Sequence, residues 1–222
     1  MIVIQTYKAS WPAEFNATRV QLASLLGERA RRIAHIGSTS VPGLGAKDII
    51  DVQIGVDDLG RDIELKLSAA GYEFVATHAS DHLPEGDKGS RNRWMKLFFR
   101  TQPGVRPCNV HVRVQGHPNF RYALLFRDYL RAHDGARLAI EVVKRQLARL
   151  HGNDVDAYYA LKDPVYDLIW EAANEWASYS GWCPETAPDA QSFFPANAHR
   201  VPPYADGGCL LFNSSKDSIG SN

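Results

Sequence analysis

The order of strand and helix patterns along the 222 residues is the feature that most constrains the fold. Segments rich in β-branched and aromatic residues with strand-like alternation all lie before residue 115. From Phe120 onward the apolar residues recur at helical spacing. Strands followed by helices are typical of the α+β class. We therefore expect a mixed or antiparallel sheet with helices packed on it and a helical C-terminal layer.

Local patterns give the individual elements. The turn sequence Gln102-Pro103-Gly104 separates the last two strands, which indicates an antiparallel hairpin. Pro164 is a possible kink in the last helix. Strands are predicted over residues 2–7, 32–36, 48–56, 72–77, 94–100 and 108–114. Helices are predicted over residues 10–27, 59–70, 120–130, 138–150 and 157–179, and residues 78–92 are predicted to form a long surface loop.

Composition limits the class of protein. The 25 basic and 25 acidic residues balance, which argues against a dedicated nucleic-acid binder. Three widely spaced cysteines suit a reducing compartment. With no signal-peptide pattern and no apolar stretch near the ~20 residues that span a bilayer, we expect a cytoplasmic protein without a membrane partner. We expect residues 1–180 to form one domain and residues 181–222, rich in Pro, Gly, Ser and Asn, to be a disordered tail.

The segment from His35 to Asp51 carries the candidate chemistry. A strand leads into a loop with small residues at positions 37, 38, 39, 40, 43 and 45, which let backbone N–H groups approach an anion. Lys47 can add a positive charge, and Asp51 follows inside an apolar strand, where a carboxylate can hold Mg²⁺ against phosphates. The alternatives are a plain connection between strands and a structural aspartate.

This segment, HIGSTSVPGLGAKDIID, closely resembles the signature of the GrpB family. Further segments resemble the family in the same order along the chain, over about residues 2–176. They are Tyr7 with Trp11-Pro12 and Phe15, Gly71-Tyr72, Asn109-Val110-His111-Val112, Phe126-Arg127-Asp128-Tyr129-Leu130-Arg131, Lys144, and Tyr158 with Lys162.

The resemblance implies a core of the nucleotidyltransferase type, like that of DNA polymerase beta. In that superfamily a Gly-Ser pair holds the triphosphate and carboxylates on two strands hold two metal ions. Gly37 and Ser38 match the pair, and Asp51 matches the first carboxylate. Gln53 departs from the second, and the later strand offers Asn109 and His111 instead of an acid. Such a site can hold one metal ion at best.

The candidate site residues follow from the segment and the resemblance. Asp51, His35 and His111 are the candidate catalytic residues, and Asp51 is also the candidate Mg²⁺ ligand. The candidate ligand-binding residues are Gly37, Ser38, Thr39, Ser40 and Lys47. Each of the two histidines and Lys47 has a structural alternative.

Several residues outside this segment have a structural interpretation as well as a functional one. Three basic residues alternate with apolar ones on a predicted strand and form either a basic wall beside the site or an exposed strand face; they are Arg93, Lys96 and Arg100. Arg127, Asp128 and Arg131 are expected to form surface ion pairs at i,i+3 or i,i+4 spacing, and the alternative is that Arg127 reaches the site. The aromatic residues of the last helix, Tyr158, Tyr159, Tyr166, Trp170 and Trp176, are expected to pack between helices.

Two functions remain open from the sequence. The first is Mg²⁺-dependent nucleotidyl or phosphoryl transfer by a nucleotidyltransferase-like enzyme. The second is a catalytically degenerate module that binds a nucleotide or a coenzyme A precursor. The resemblance implies the coenzyme A link, because GrpB-like domains are also found fused to dephospho-CoA kinase. A third hypothesis, a protein-interaction domain, is supported only by the helical C-terminal layer.

Overall fold

The computed structural model describes residues 1–84 and 89–184. The predicted tail therefore lies outside the described residues from position 185 onward. The strands are β1 (Arg32–Ile36), β2 (Ile50–Val56), β3 (Tyr72–Phe74), β4 (Leu97–Thr101) and β5 (Cys108–Val114). The helices are α1 (Trp11–Leu26), α2 (Arg61–Ala69), α3 (Pro118–Ala132), α4 (Asp134–His151) and α5 (Val155–Ser180).

The five strands form one mixed sheet in the order β1-β2-β5-β4-β3. Strands β2 and β5 are parallel, and the other three neighbouring pairs are antiparallel. The predicted hairpin is confirmed, since β4 and β5 pair antiparallel across the turn at residues 102–107. The predicted α+β class, with helices on a mixed sheet and a helical C-terminal layer, is also confirmed.

One predicted strand is wrong. Residues 2–7 form only an isolated bridge, in which Gln5 and Ala46 exchange backbone hydrogen bonds of 2.8 and 3.0 Å. The pairing does not extend because the chain after Ala46 turns back on itself, with Ile49 N–H donating to the carbonyl of Lys47. A β-branched sequence needs a continuous partner strand, and this loop offers a single residue.

The two faces of the sheet are chemically different. One side of β2 presents Ile50, Val52, Ile54 and Val56, all fully buried, to a large apolar core. Helices α1 and α2 cover this side, and the alternate residues of β5 extend it. The opposite side of the same strands carries polar residues and faces α3, α4 and α5.

The C-terminal helices form the layer over that polar side. Phe120 and Leu124 of α3 pack on Ala34 and Ile36 of β1, which fixes α3 against the sheet edge. Helices α4 and α5 pack on α3 and on each other. Helix α5 runs from Val155 to Ser180 without interruption at Pro164. Across the described residues, none of the helices combines the length and apolar character that a membrane crossing requires.

Candidate functional site

A cavity of about 1170 Å³ lies between the polar side of the sheet and the C-terminal helices. The bend after β1 forms one wall, and side chains of β2 and β5 form the floor. Helices α3, α4 and α5 supply a further wall, and β4, the turn at residues 102–107 and residues 78–82 also contribute to the lining. The predicted site residues Gly37, Ser38, Thr39, Lys47, Asp51 and His111 all line this cavity.

The bend at Gly37 brings the small-residue loop against Asp51. Gly37 has φ +68°, a backbone conformation that side chains rarely adopt. A Cβ atom at this position would lie 2.5 Å from Asp51 Oδ2. The antiparallel register pairs Ile36 with Asp51, so the bend begins directly beside the carboxylate. Glycine is required here both by the dihedral angle and by the space.

Lys144 of α4 reaches the bend from the opposite wall. Its Nζ donates hydrogen bonds to Ser38 Oγ at 2.8 Å and to the carbonyl of Gly45 at 2.6 Å. Burial, together with the nearby ammonium groups of Lys162 and Lys47, lowers the pKa of Lys144 to about 7, against the opposing charges of Glu141 and Asp51. Sequence reasoning did not select Lys144, although it matched a position of the family pattern.

Two more lysines stand near Lys144 at the cavity wall. Lys47 Nζ donates to Tyr159 Oη at 2.7 Å. Lys162 Nζ lies 3.8 Å from the ring centroid of Tyr166 and donates to Asp163 at 2.5 Å. We call Lys47, Lys144 and Lys162 the lysine cluster. Tyr159 and Tyr166 line the cavity together with Tyr158, whereas the sequence predicted only that these tyrosines pack between helices.

Asp51 is an ionised carboxylate on the cavity floor. Asn109 Nδ2 donates to its Oδ1 at 2.8 Å, and His111 Nε2 lies 3.7 Å from the same oxygen. Burial raises the pKa of Asp51, but His111, Asn109 and the charge of Lys47 outweigh it and hold the pKa below its usual value. The side chain keeps 26% of its surface exposed.

His111 is held from behind by two cations. Its Nδ1 lies 3.4 Å from Lys96 Nζ and 3.3 Å from an Arg113 terminal nitrogen. Burial and the neighbouring charges of Arg113 and Lys96 lower the pKa of His111 to about 4, against the opposing effect of Asp51. The imidazole is therefore neutral at neutral pH. Because both cations are donors only, Nδ1 is the acceptor and Nε2 carries the proton that points toward Asp51.

Asp81 neutralises these two cations and was not predicted. Its carboxylate accepts from Lys96 at 2.6 Å, from Arg113 twice at 2.8 Å and from Asn119 at 3.1 Å. Burial raises the pKa of Asp81, but Arg113 and Lys96 hold it far below its usual range. We call Asp81, Lys96 and Arg113 the Asp81 cluster. Asp81 lies in the polar loop 78–92, where no periodicity distinguishes it.

Gln53 occupies the position of the missing second carboxylate. Its side chain is fully buried, accepts from Arg113 at 2.6 Å and donates to the carbonyl of Phe120 at 3.1 Å. The Arg113 guanidinium therefore contacts the side chain at the position where the resemblance implied a second carboxylate. Within residues 1–84 and 89–184, no three His, Cys, Asp or Glu side chains converge as metal ligands. The donor set around Asp51 does not fit a two-metal site.

His35 does not line the cavity. The register pairs it with Val52, so its side chain lies on the α1 side of the sheet. There its ring stacks on Phe15, with centroids 4.6 Å apart, and its Nε2 lies 3.0 Å from Thr39 Oγ1. The physical reason is the alternation of the strand, which directs Ile36 and not His35 toward Asp51. The geometry supports the structural alternative for this histidine.

The hydroxyl groups of the bend stabilise the loop itself. Thr39 Oγ1 donates to the carbonyl of Ile49 at 3.4 Å. Ser40 Oγ donates to the carbonyl of Gly37 at 2.5 Å, and Ser40 is buried. Of the three predicted hydroxyl side chains, Ser38 is the one that contacts the lysine cluster.

The expected surface ion pairs of Arg127 are wrong. Its guanidinium is 1% exposed, pairs with Asp128 at 2.7 Å and donates to the carbonyl of His35 at 2.8 Å. Arg127 therefore ties α3 to the end of β1, directly before the bend. The i,i+3 pair that helical spacing predicts forms between Asp128 and Arg131 at 3.3 Å, and Arg127 is among the residues that line the cavity. The spacing could not show that this face of α3 lies against the sheet.

The fold and the cavity define an α+β protein with a large cavity lined by lysines and tyrosines. The sequence profile of the GrpB protein family matches residues 1–172, and the chain belongs to that family. The crystal structure of GrpB from Enterococcus faecalis is 28% identical, with a TM-score of 0.65, over 78% of this chain and 99% of that one.

Two curated bacterial proteins are similar to this chain. A dephospho-CoA kinase of Mycolicibacterium paratuberculosis is 36% identical over 78% of this chain and 46% of its own length. The UPF0157 protein YqkA of Bacillus subtilis is 34% identical over 79% of this chain and 48% of its own length. The chain thus spans about half the length of these relatives.

Proposed function

We propose that this protein binds a small phosphate-bearing ligand, a nucleotide or a coenzyme A precursor, at Ser38 and the lysine cluster. One observation carries the proposal. The buried ammonium of Lys144 donates to Ser38 Oγ beside a large cavity, and across the described residues no carboxylate accepts a hydrogen bond from it. Glu141 and Asp51 act on this ammonium only through their charge, and a buried ammonium that no carboxylate contacts directly is unfavourable. An anion in the cavity would supply that direct contact.

The lysine cluster suits a multiply charged anion. Its three ammonium groups come from separate segments, namely the loop before β2, α4 and α5. Their mutual repulsion contributes to the low pKa of Lys144. A phosphate group between them would relieve this repulsion, and Ser38 offers a hydroxyl donor next to Lys144. Opposite charges in a water-poor cavity attract more strongly than at the surface.

Support for a coenzyme A precursor comes from the relatives. The name of one of them is dephospho-CoA kinase. Since this chain spans less than half of that protein, the name bears on the class of ligand and not on a kinase activity.

The second candidate function is Mg²⁺-dependent nucleotidyl or phosphoryl transfer. The observation that favours it is the contact of Gly37 with Asp51, which puts the two matched parts of the nucleotidyltransferase signature side by side. Asp51 is the one residue that would hold Mg²⁺. Against it stand Gln53 and the Asp81 cluster, which place a cation where further acids are needed.

Binding of inorganic pyrophosphate, nucleotides and coenzyme A precursors, measured by isothermal titration calorimetry with EDTA or with Mg²⁺, tests the proposal. Lys144→Met should weaken binding of pyrophosphate in EDTA by about tenfold or more, since a hydrogen bond to a charged group contributes about 1.5–3 kcal/mol. Lys66→Met, which removes an exposed lysine of α2, is the matched control and should change nothing.

The outcomes separate the two functions. Binding in EDTA that Lys144→Met weakens supports the binding module. Binding that appears only with Mg²⁺ and is abolished by Asp51→Ala supports the transferase. If none of the phosphate compounds binds under either condition, the phosphate site is wrong.

A further inference from the structure

One carboxylate oxygen of Asp51 is left for a ligand. Its Oδ1 accepts from Asn109 and faces His111. Among residues 1–84 and 89–184, no donor lies within hydrogen-bond distance of its Oδ2. That oxygen lies instead next to the Cα of Gly37, at the cavity wall. An ionised oxygen in this position calls for a hydrogen-bond donor or a cation from outside the chain.

The neighbours of Asp51 are oriented as donors and not as metal ligands. Asn109 directs its amide N–H at Oδ1. His111 directs its Nε2–H at the same oxygen, because Lys96 and Arg113 stand at Nδ1 and force it to accept. A metal ion at Asp51 would need lone pairs where these side chains present hydrogens. Asp81 holds Lys96 and Arg113 in place, and this arrangement fixes the tautomer of His111.

On the basis of the phosphate site proposed above, we infer that Asp51 Oδ2 accepts a hydrogen bond from a hydroxyl group of the ligand. The ligand class is then a phosphorylated alcohol whose hydroxyl lies a few bonds from the phosphate, as in a glycerol or sugar phosphate. The structure supports a short separation between the phosphate and the hydroxyl group of the ligand. Gly37 is adjacent to Ser38 in the chain and touches Asp51, so the phosphate and hydroxyl subsites are neighbours.

A matched pair of small phosphates isolates the hydroxyl. Glycerol 3-phosphate and n-propyl phosphate have the same carbon chain, and only the first carries hydroxyl groups. In EDTA, glycerol 3-phosphate should bind the wild-type protein about tenfold or more tightly than n-propyl phosphate, because the acceptor is a charged oxygen. Asp51→Ala should remove this preference. Asp51→Asn, which keeps the side-chain size, serves the same purpose if the alanine variant does not fold.

Inorganic pyrophosphate separates this inference from the proposed function. It carries no alcohol, and in EDTA Asp51→Ala should not weaken its binding, because the substitution removes a negative charge beside the lysine cluster. If pyrophosphate binds but the two phosphate esters bind equally well or not at all, the hydroxyl subsite is wrong and the phosphate site stands. A preference that persists in Asp51→Ala, or that requires Mg²⁺, also overturns the inference. Failure of pyrophosphate itself counts against the phosphate site.

The orientation of His111 can be measured without any ligand. In ¹⁵N nuclear magnetic resonance spectra of the wild-type protein at pH 7, Nε2 of His111 should carry the proton and Nδ1 should show the shift of an unprotonated acceptor. The same spectrum with added Mg²⁺ should be unchanged. A protonated Nδ1, or a shift of Nε2 on addition of Mg²⁺, would contradict the orientation on which the inference depends.

Discussion

The two sides of β2 and β5 show two ways of filling a protein interior. On the α1 and α2 side, alternate residues are aliphatic and bury their surface against many neighbours. On the cavity side, the residues between them are Asp51, Gln53, Asn109, His111 and Arg113. Each of these two seven-residue strands thus alternates between non-directional packing on one side and specific hydrogen bonds on the other.

The two sides of the sheet differ in how much stability a substitution costs. An aliphatic side chain that loses a methyl group forfeits part of its contacts, typically about 0.5–1.5 kcal/mol for Ile→Val. A buried polar side chain that loses its partner leaves a charge or donor without compensation, which costs considerably more. The cavity side should therefore be fragile at a few residues, and the predictions below probe that contrast from the largest effect to the smallest.

Asp81 should be the most sensitive position on the cavity side. Asp81→Ala leaves Lys96 and Arg113 buried without a counterion, which we expect to reduce the free energy of unfolding by about 3–5 kcal/mol. Urea denaturation measures this loss. The matched control is Asp58→Ala, whose carboxylate pairs with Arg29 at the surface. Its effect should be much smaller, because water already solvates both partners of an exposed ion pair. Similar losses in the two variants would remove the contrast between buried and exposed pairs.

Gly37 tests whether the bend is fixed by its contact with Asp51. Gly37→Ala combines a positive φ with a Cβ atom pressed on the carboxylate, and we expect it to destabilise the protein by about 2–3 kcal/mol. Gly71→Ala is the control, because Gly71 has φ +88° and open space around it. It should cost about 1–2 kcal/mol. Thermal unfolding compares the two, and equal losses would show that the contact contributes nothing.

The pH dependence of anion binding should be the smallest effect. Sulfate keeps its charge between pH 6 and 8.5, so any change in its affinity reports on the protein. Lys144, with a pKa of about 7, is largely protonated at pH 6 and largely neutral at pH 8.5. Over this range His111, with a pKa of about 4, stays neutral, and the lowered pKa values of Asp51 and Glu141 keep both carboxylates ionised.

Sulfate should therefore bind up to about tenfold more tightly at pH 6 than at pH 8.5. Titration calorimetry at the two pH values measures the ratio. Lys144→Met should abolish the pH dependence. A wild-type affinity that is equal at both pH values, or that rises with pH, would show that the charge of Lys144 does not contribute to the site.

The elements of the fold followed largely from local pattern. The bounds of β1 and β5 agree with the predicted strands, and five predicted helices are present. Strand 2–7 failed because its residues have strand propensity but the neighbouring loop offers one pairing partner. Propensity describes one segment, whereas a strand needs two.

The candidate site was predictable where it lies within the 35–51 segment or, as for His111, in another motif of the family resemblance. Gly37, Ser38 and Asp51 belong to a single segment, and their proximity was expected from the loop and the adjacent strand. Lys144 and Asp81 come from distant, otherwise ordinary segments. Their importance depends on burial beside Ser38 and beside Arg113, and no periodicity in the sequence records burial of a charge.

The sequence by itself determined the α+β order of elements, the family and the position of the bend, since these depend on contiguous residues and local backbone preferences. Only the tertiary structure decided which side chains share the cavity. It directs His35 away from the cavity, places the Arg113 guanidinium against Gln53 and brings the lysine cluster together. The physical reason is that charge and hydrogen bonding act through space, so their effect is set by how α3, α4 and α5 pack over the sheet.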